Sequence, residues 1–373
     1  MSTREPLKII ISGGGSGGHV FPALAIADAI RAKVPDANIL FVGAKGKIEM
    51  EKVPQAGYPI KGLWISGFHR KLTLRNLVFP FKLISSLVKS WGIIRSFRPQ
   101  VVVGVGGFAS GPVLQLANWL GIPALIQEQN SYPGITNRLL ANKVDKICIA
   151  YDRMDRYFPK EKLVMTGNPV RQSFSTKQLP KEEAYAHFGL KAGKATLFAF
   201  GGSLGAQSIN EALAANSDLM QQHPEVQLLW QAGKLYYDRF KDSAMAQLPN
   251  VSIKPFIDRM DLAYAMTDLV ICRAGALTIA ELSLLGQAAL LIPSPNVAED
   301  HQTMNAKALL DKQACILVKD QDAKADILTQ ALATLKDENL LATLSSNVRS
   351  LAKPAAAAMI ADEVIALAKK KGH

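Results

Sequence analysis

Short apolar runs alternate with stretches of helical period along the whole 373-residue chain, and this alternation constrains the fold more than any other feature. Runs that read as strands lie near 8–13, 37–43, 101–105, 123–127, 146–150 and 163–166. They recur near 196–200, 226–231, 251–255, 268–273, 288–292 and 315–319. Helical patterns of ten or more residues lie between most of them. A chain in this order crosses back over a helix before each new strand, which makes the strands parallel. A parallel sheet must then be covered on both faces. The expectation is an α/β protein, and at roughly 100–200 residues per domain the length suits two domains. The stretch KIIISGGGSGGHVFPALA near the start is echoed by TLFAFGGSLGAQSINEAL near 196. Each reads as strand, glycine turn and helix, which two Rossmann-like domains in tandem would produce. The polar segment Thr166–Ala184 holds two prolines and no apolar period, so the boundary is placed there.

Several classes are set aside by what surrounds this pattern. The three cysteines, Cys148, Cys272 and Cys315, are widely spaced and make no CxxC pair. They read as buried thiols in a reducing compartment. The N-terminal apolar run turns straight into glycine, unlike a signal peptide. Pro99–Gln127 has no charged residue and is long enough to span a bilayer, but three prolines and five glycines break it into strand, helix and strand. No HExxH pattern is present, and no metal site is expected.

Four constellations carry chemistry. In the first, five of the six residues from Gly13 to Gly18 are glycine, between a strand and a helix. Such a loop brings backbone N–H groups close to an anion, and the helix N-terminus adds positive potential. A dinucleotide site would also place an acid at the end of the second strand, to hold a ribose. Gly43, Ala44 and Lys45 stand there instead. A phosphate or sugar cradle is the better reading, with His19 at the helix start as a candidate base. In the second, Gly104, Gly106 and Gly107 follow another strand, and Glu128, Gln129 and Asn130 follow the next. In the third, Ser203 follows Gly201 and Gly202. It either caps the next helix or offers its hydroxyl to a diphosphate. In the fourth, Arg273-Ala274-Gly275 ends a strand, Thr278 and Glu281 sit on an apolar helix, and His301, Gln302 and Asn305 follow. A carboxylate in an apolar helix needs a partner, and the vicinal hydroxyls of a ribose would suit Glu281.

The charge is uneven. The formal net charge is +12, and Lys52–Gln127 holds nine Lys/Arg and no acid. Within it, Phe68–Pro99 is both basic and rich in large apolar residues. From the periodicity, Leu83, Leu87, Trp91 and Ile94 would face a core. The remaining apolar residues fit an interfacial segment on an anionic leaflet. No RNA- or DNA-binding signature accompanies the charge, so no nucleic-acid partner is expected.

Taken together, GGSGGHVFPALA, GVGGFASGP, EQNSYPGITNRLLA, GNPVR, GGSLGA, RAGALTIAE and DHQTMNA, in this order from Lys8 to about Ala308, closely resemble the signatures of the MurG family. These are bacterial N-acetylglucosaminyltransferases of peptidoglycan synthesis. Ser16 stands where the family usually has threonine, and it keeps the hydroxyl. The resemblance implies a GT-B fold, two Rossmann-like domains with parallel sheets facing a central cleft. Residues 1–168 would form the acceptor and membrane-facing domain, with a C-terminal helix at 355–373 packing back on it. Residues 169–354 would form the UDP-N-acetylglucosamine (UDP-GlcNAc) domain.

On matching positions, Ser203, Ile257, Ala276, Leu277, Thr278, Glu281 and Gln302 would bind the donor. Ser16, Gly17, Gly18, Asn130 and Arg171 would close on it. Gly15, Gly106 and Gly107 would approach the acceptor diphosphate. The implied reaction is inverting transfer of GlcNAc to the C4 hydroxyl of undecaprenyl-pyrophosphoryl-MurNAc-pentapeptide, turning lipid I into lipid II. His19 is the first candidate for the base, or for a residue that orients the acceptor, and Glu128 is its competitor. No cofactor is required, and dependence on a divalent cation is left open. The implied location is peripheral, on the cytoplasmic face of the inner membrane, against anionic phospholipid, with contacts to other cell-wall synthesis proteins left open. Rival readings are another GT-B enzyme, such as a glycolipid-forming transferase or a UDP-sugar epimerase, and a non-catalytic membrane adaptor.

Overall fold

The computed structural model describes residues 6–67, 78–170, 180–297 and 300–370. They divide into two compact units, one of residues 6–170 with 353–370 and one of residues 180–352. Each is built on a parallel sheet, and together they have the GT-B fold.

The sheet of the first unit has seven strands: β1 (Lys8–Ser12), β2 (Asn38–Ala44), β3 (Ile60–Leu63), β4 (Val101–Gly104), β5 (Ala124–Glu128), β6 (Lys146–Ile149) and β7 (Leu163–Met165). Their order is β3-β2-β1-β4-β5-β6-β7, all parallel. The β-branched runs III (9–11) and VVV (101–103) are wholly buried because helices cover both faces. Strand β3 escapes the apolar-run reading. It is an edge strand of four residues, IKGL, with an exposed lysine and a glycine in it.

The last helix, Ala356–Lys370, lies on helix Gly17–Lys33. Ile360, Ala361, Val364 and Leu367 join the core formed by Ile9, Ile11 and Ile26. Lys33 and Asp362 pair across these helices at 2.6 Å.

Helix Phe79–Phe97 departs from the expected facing. Ser86, Ser90 and Ile94 are buried, and Leu83, Leu87 and Phe97 pack beside them. Trp91, expected inward, is 42% exposed and lines up with Phe81, Ile84 and Val88 on the outer face. The 3-4-3 spacing of these four is that of a single helix stripe. The periodicity could not assign sides because both faces carry apolar residues. The small serines let the helix approach its neighbour, and they mark the inner face. Residues 68–77 of the basic segment lie outside the described residues.

The second unit repeats the plan with β8 (Ala195–Phe200), β9 (Val226–Gln231), β10 (Val251–Lys254), β11 (Leu269–Cys272), β12 (Ala289–Leu291) and β13 (Ile316–Leu317). Their order is β10-β9-β8-β11-β12-β13. Trp230, Leu197, Leu228 and Ile271 fill one face, and Phe198, Leu229, Val270 and Leu291 the other. Both sheets reverse strand order beside their first strand, between β1 and β4 and between β8 and β11. Ligand crevices of open α/β sheets lie at such a point, beyond the carboxyl ends of the strands.

Candidate active site

The register of the first sheet pairs Ser12 with Gly104, and Gly104 with Ile126. Loops 13–18, 105–109 and 129–134 therefore leave the sheet side by side. The first two loops touch. Gly14 and Gly107 adopt φ of +145° and +82°, and a Cβ on Gly107 would stand 2.2 Å from the Gly14 carbonyl oxygen. Only glycine permits both the backbone and the approach.

His19 is the third residue of helix Gly17–Lys33. Its Nδ1 lies 3.1 Å from the Ser16 hydroxyl, and its ring abuts Gly106. Gly15, Ser16, Gly17, Gly18, His19, Gly106 and Gly107 are thus drawn to one edge. Residue types that need close backbone approach surround a titratable ring at a helix N-terminus.

Glu128 ends β5 and is 1% exposed. Its carboxylate accepts from the backbone N–H of Asn130 (3.0 Å) and Gly134 (3.1 Å), and from the side-chain amides of Asn130 (3.3 Å) and Asn137 (2.7 Å). Burial pushes its pKa up, and these four donors oppose the shift. Beneath it, Gln127, Gln129 and Asn168 form a buried amide network. Gln129 also donates to the Val105 carbonyl at 2.8 Å, which joins the second loop to the third.

In the second unit, Phe200 is paired with both Gln231 and Cys272. The glycine loop 201–206 therefore emerges beside Arg273 and the loop after β9. Ser203 does not cap the following helix. That helix, Gln207–Ala214, begins four residues later with Ala206 at its N-cap, and Ser203 sits exposed on the turn. The capping alternative is thereby excluded.

Gln231 ties two loops together. Its Nε2 donates to the Gly202 carbonyl at 3.0 Å, and its Oε1 accepts the Ile257 N–H at 2.8 Å. Ile257 therefore has its N–H committed within the protein. Ala276, Leu277 and Thr278 open helix Ala276–Leu285, which ends at Gly286 with φ +66° as the sequence suggested. Glu281, on the same helix, accepts from the Tyr264 hydroxyl at 3.2 Å. Burial and this carboxylate raise the Tyr264 pKa well above its ordinary value, so it stays a donor.

Gln302 accepts the Ser294 N–H at 2.9 Å. It lines a cavity of about 420 Å³ together with Gly201, Gly205, Ser208, Arg273 and Ser294. Arg171 lies outside the described residues.

Four residues not singled out as site residues shape these edges. Arg273 pairs with Asp320 and donates to the Ser208 hydroxyl at 2.8 Å, so an arginine stands at the cavity wall with its charge balanced by one carboxylate. Gln231 carried a readable signal, being the polar last residue of a strand after the apolar run Leu228–Trp230. Glu49 is buried behind the first glycine loop, and nothing local in KGKIEMEK distinguishes it from its charged neighbours. Asp320 gave no signal either. Among the described residues no group of three His, Cys, Asp or Glu is placed to hold a metal ion.

Comparison with known proteins agrees across the whole chain. The N-terminal domain of glycosyltransferase family 28 matches residues 9–149, and its C-terminal domain matches residues 196–362. The UDP-N-acetylglucosamine–N-acetylmuramyl-(pentapeptide) pyrophosphoryl-undecaprenol N-acetylglucosamine transferase of Bacteroides thetaiotaomicron is 53% identical over 369 residues, covering 98% of this chain and 99% of its own. The enzyme of the same name from Flavobacterium psychrophilum is 51% identical over 368 residues, with 98% and 99% covered. Among solved structures, Acinetobacter baumannii MurG superposes with a TM-score of 0.75 at 29% identity, covering 97% of this chain and all of that one. The UDP-GlcNAc 2-epimerase of Neisseria meningitidis shares the fold alone, with a TM-score of 0.68 at 11% identity, over 96% of this chain and 100% of that one. By identity over nearly its full length, the chain belongs to the MurG family of N-acetylglucosamine transferases.

Proposed function

We propose that this chain moves GlcNAc from UDP-GlcNAc to the C4 hydroxyl of a membrane-held undecaprenyl-pyrophosphoryl-MurNAc-pentapeptide, with inversion at C1. The observation that carries the mechanistic reading is His19, seated between two touching glycine loops at a helix N-terminus. A neutral imidazole that donates from Nδ1 to Ser16 holds its basic lone pair on Nε2, the atom on the Gly106 side. There it would take the proton of the acceptor hydroxyl as the oxygen bonds to C1. The C1–diphosphate bond breaks, and UDP leaves with the electron pair. Loop N–H groups and the start of helix Gln207–Ala214 would meet the growing charge, with Ser203, Arg171 and Asn130 as further donors. Glu281 would hold the ribose hydroxyls and Gln302 the sugar. Ile257 has its carbonyl to offer a uracil N–H, its own N–H being committed to Gln231. Glu128 is read as the organiser of loop 130–137, since four donors match a carboxylate's acceptor capacity.

The cavity beside the glycine loop 201–206 is of the volume expected for a small-ligand site. The acceptor's lipid requires the enzyme to work at a bilayer surface. No described helix is long and apolar enough to cross a membrane. The exposed stripe Phe81, Ile84, Val88 and Trp91 supplies an apolar face. Lys82 beside Trp64 and Arg95 beside Trp91 place cations next to exposed aromatic rings. This supports peripheral docking on anionic lipid.

The test is lipid II synthesis by purified wild type and His19→Ala. Wild type forms product, and the variant loses roughly 10²–10⁴-fold in kcat. Thermal stabilisation by UDP-GlcNAc is the same for both. Absence of both transfer and stabilisation in wild type overturns the transferase reading. A variant at the wild-type rate removes His19 from proton transfer.

A further inference from the structure

The first glycine loop is shaped from behind by a carboxylate. Glu49 opens the short helix Glu49–Gln55 and is 1% exposed. One carboxylate oxygen accepts the Gly15 N–H and the other the Ala44 N–H, each at 2.9 Å. Two backbone positions make room for it. A Cβ on Gly14 would stand 2.2 Å from the Glu49 carboxyl carbon, and one on Gly43 would stand 2.5 Å from its Cγ. The contacts then run forward, with the Gly14 carbonyl meeting Gly107 and the neighbouring Gly106 bearing the His19 ring. A buried carboxylate is tolerated only where donors satisfy it, so the Gly15 N–H ties the loop to the end of β2 through Glu49.

We propose that Glu49 is a positioning residue for transfer: it holds the first glycine loop, and through it Gly107, Gly106 and His19, in the shape that receives the acceptor. The position also bears on specificity. An acid at the end of the second strand is where a dinucleotide's ribose would be read. Here the acid comes from the next helix and is consumed by the protein's own N–H groups. This inference rests on the transferase reading above.

The experiment compares wild type with Glu49→Gln and Gly43→Ala. Glutamine keeps the size but turns an NH₂ toward a backbone N–H that needs an acceptor. Alanine at 43 keeps the carboxylate and pushes Glu49 aside with one methyl group. Steady-state kinetics are read against a soluble lipid I analogue and against UDP-GlcNAc, and amide exchange is read at Gly15 and Ala44.

The expected result is that each variant loses at least about tenfold in kcat/KM for the acceptor, the scale of a lost buried charge-assisted hydrogen bond. The KM for UDP-GlcNAc stays at the wild-type value, and at least one of the two amides loses protection in Glu49→Gln, since glutamine keeps only one acceptor oxygen. The double variant is no worse than the worse single one, because both act through the same side chain. An unchanged acceptor kcat/KM overturns the proposal. So does a fall in which donor affinity drops in parallel, since that reports a general disturbance of the fold and not of the acceptor side. If Glu49→Gln does not fold, Gly43→Ala decides alone by the same criteria. If wild type itself performs no transfer, the functional reading fails. Unaltered exchange at Gly15 and Ala44 would separately refute the loop-holding role.

Discussion

Replacing Phe81 and Val88 together by glutamate would remove the most exposed part of the apolar stripe on helix Phe79–Phe97. Each side chain is 68% exposed, so burial in a bilayer interface has about two-thirds of each still to gain. Full burial of such a side chain is worth roughly 1.5–3 kcal/mol, which gives about 3 kcal/mol for the pair. Two introduced carboxylates add repulsion from an anionic surface of about 1 kcal/mol each. The total, about 5 kcal/mol, corresponds to a loss of three decades or more in partitioning. The assay is co-sedimentation with phosphatidylglycerol-containing vesicles, at low and high salt. Only the repulsive part should recede as salt rises.

Neither residue belongs to the buried core of its unit, so UDP-GlcNAc should stabilise the variant as it does wild type. Transfer to an acceptor analogue without a long lipid should also continue. Vesicle binding equal to wild type would refute the docking face outright. Loss of binding together with loss of donor stabilisation would mean that the substitutions disturbed the fold. Charge reversal of Lys82 or Lys89 is a weaker lever. Their amines are turned to the Ser66 hydroxyl and the Gly62 carbonyl, and burial followed by the charges of Lys45 and Lys61 lowers the Lys89 pKa.

Two further tests follow from particular groups. Gln231→Leu leaves the buried Ile257 N–H without its acceptor, at a cost of roughly 1–3 kcal/mol, and frees the glycine loop from the loop at 257. Calorimetry should show UDP-GlcNAc binding weakened about tenfold, and an unchanged Kd would show that the bridge does not shape the donor site. Burial pushes the Cys148 and Cys315 thiols up to about 12 and raises that of Cys272 further. At pH 8 the folded protein should therefore leave a disulfide reagent such as dithionitrobenzoate unreacted, and denaturant should release all three thiols. The sign for stability follows. The unfolded chain ionises its thiols from their ordinary value of about 8.5 upward while the fold keeps them protonated, so stability falls as pH rises from there toward 12. Reaction of a native thiol at pH 8 would refute its burial.

The family, the parallel α/β architecture and the positions of the glycine loops were legible in the sequence because each is written locally. Strand, glycine turn and helix are neighbours in the chain, and their residue types follow from backbone geometry within a few positions. His19 and Glu128 could be named for the same reason, since one opens the helix after the first glycine loop and the other ends a strand. The sequence left open what each does, because a role depends on what surrounds the side chain. Four donors converge on Glu128 from the loop and helix that follow it, whereas His19 meets a second loop almost ninety residues away. Tertiary structure alone supplied Glu49, whose carboxylate reaches Gly15 from 34 residues downstream, and the Arg273–Asp320 pair, 47 residues apart. It also turned Trp91 outward, because helix Phe79–Phe97 is apolar on both sides and only its neighbours decide which side is covered. Periodicity reports that a face is apolar. Whether protein or bilayer covers that face is decided by the elements packed against it.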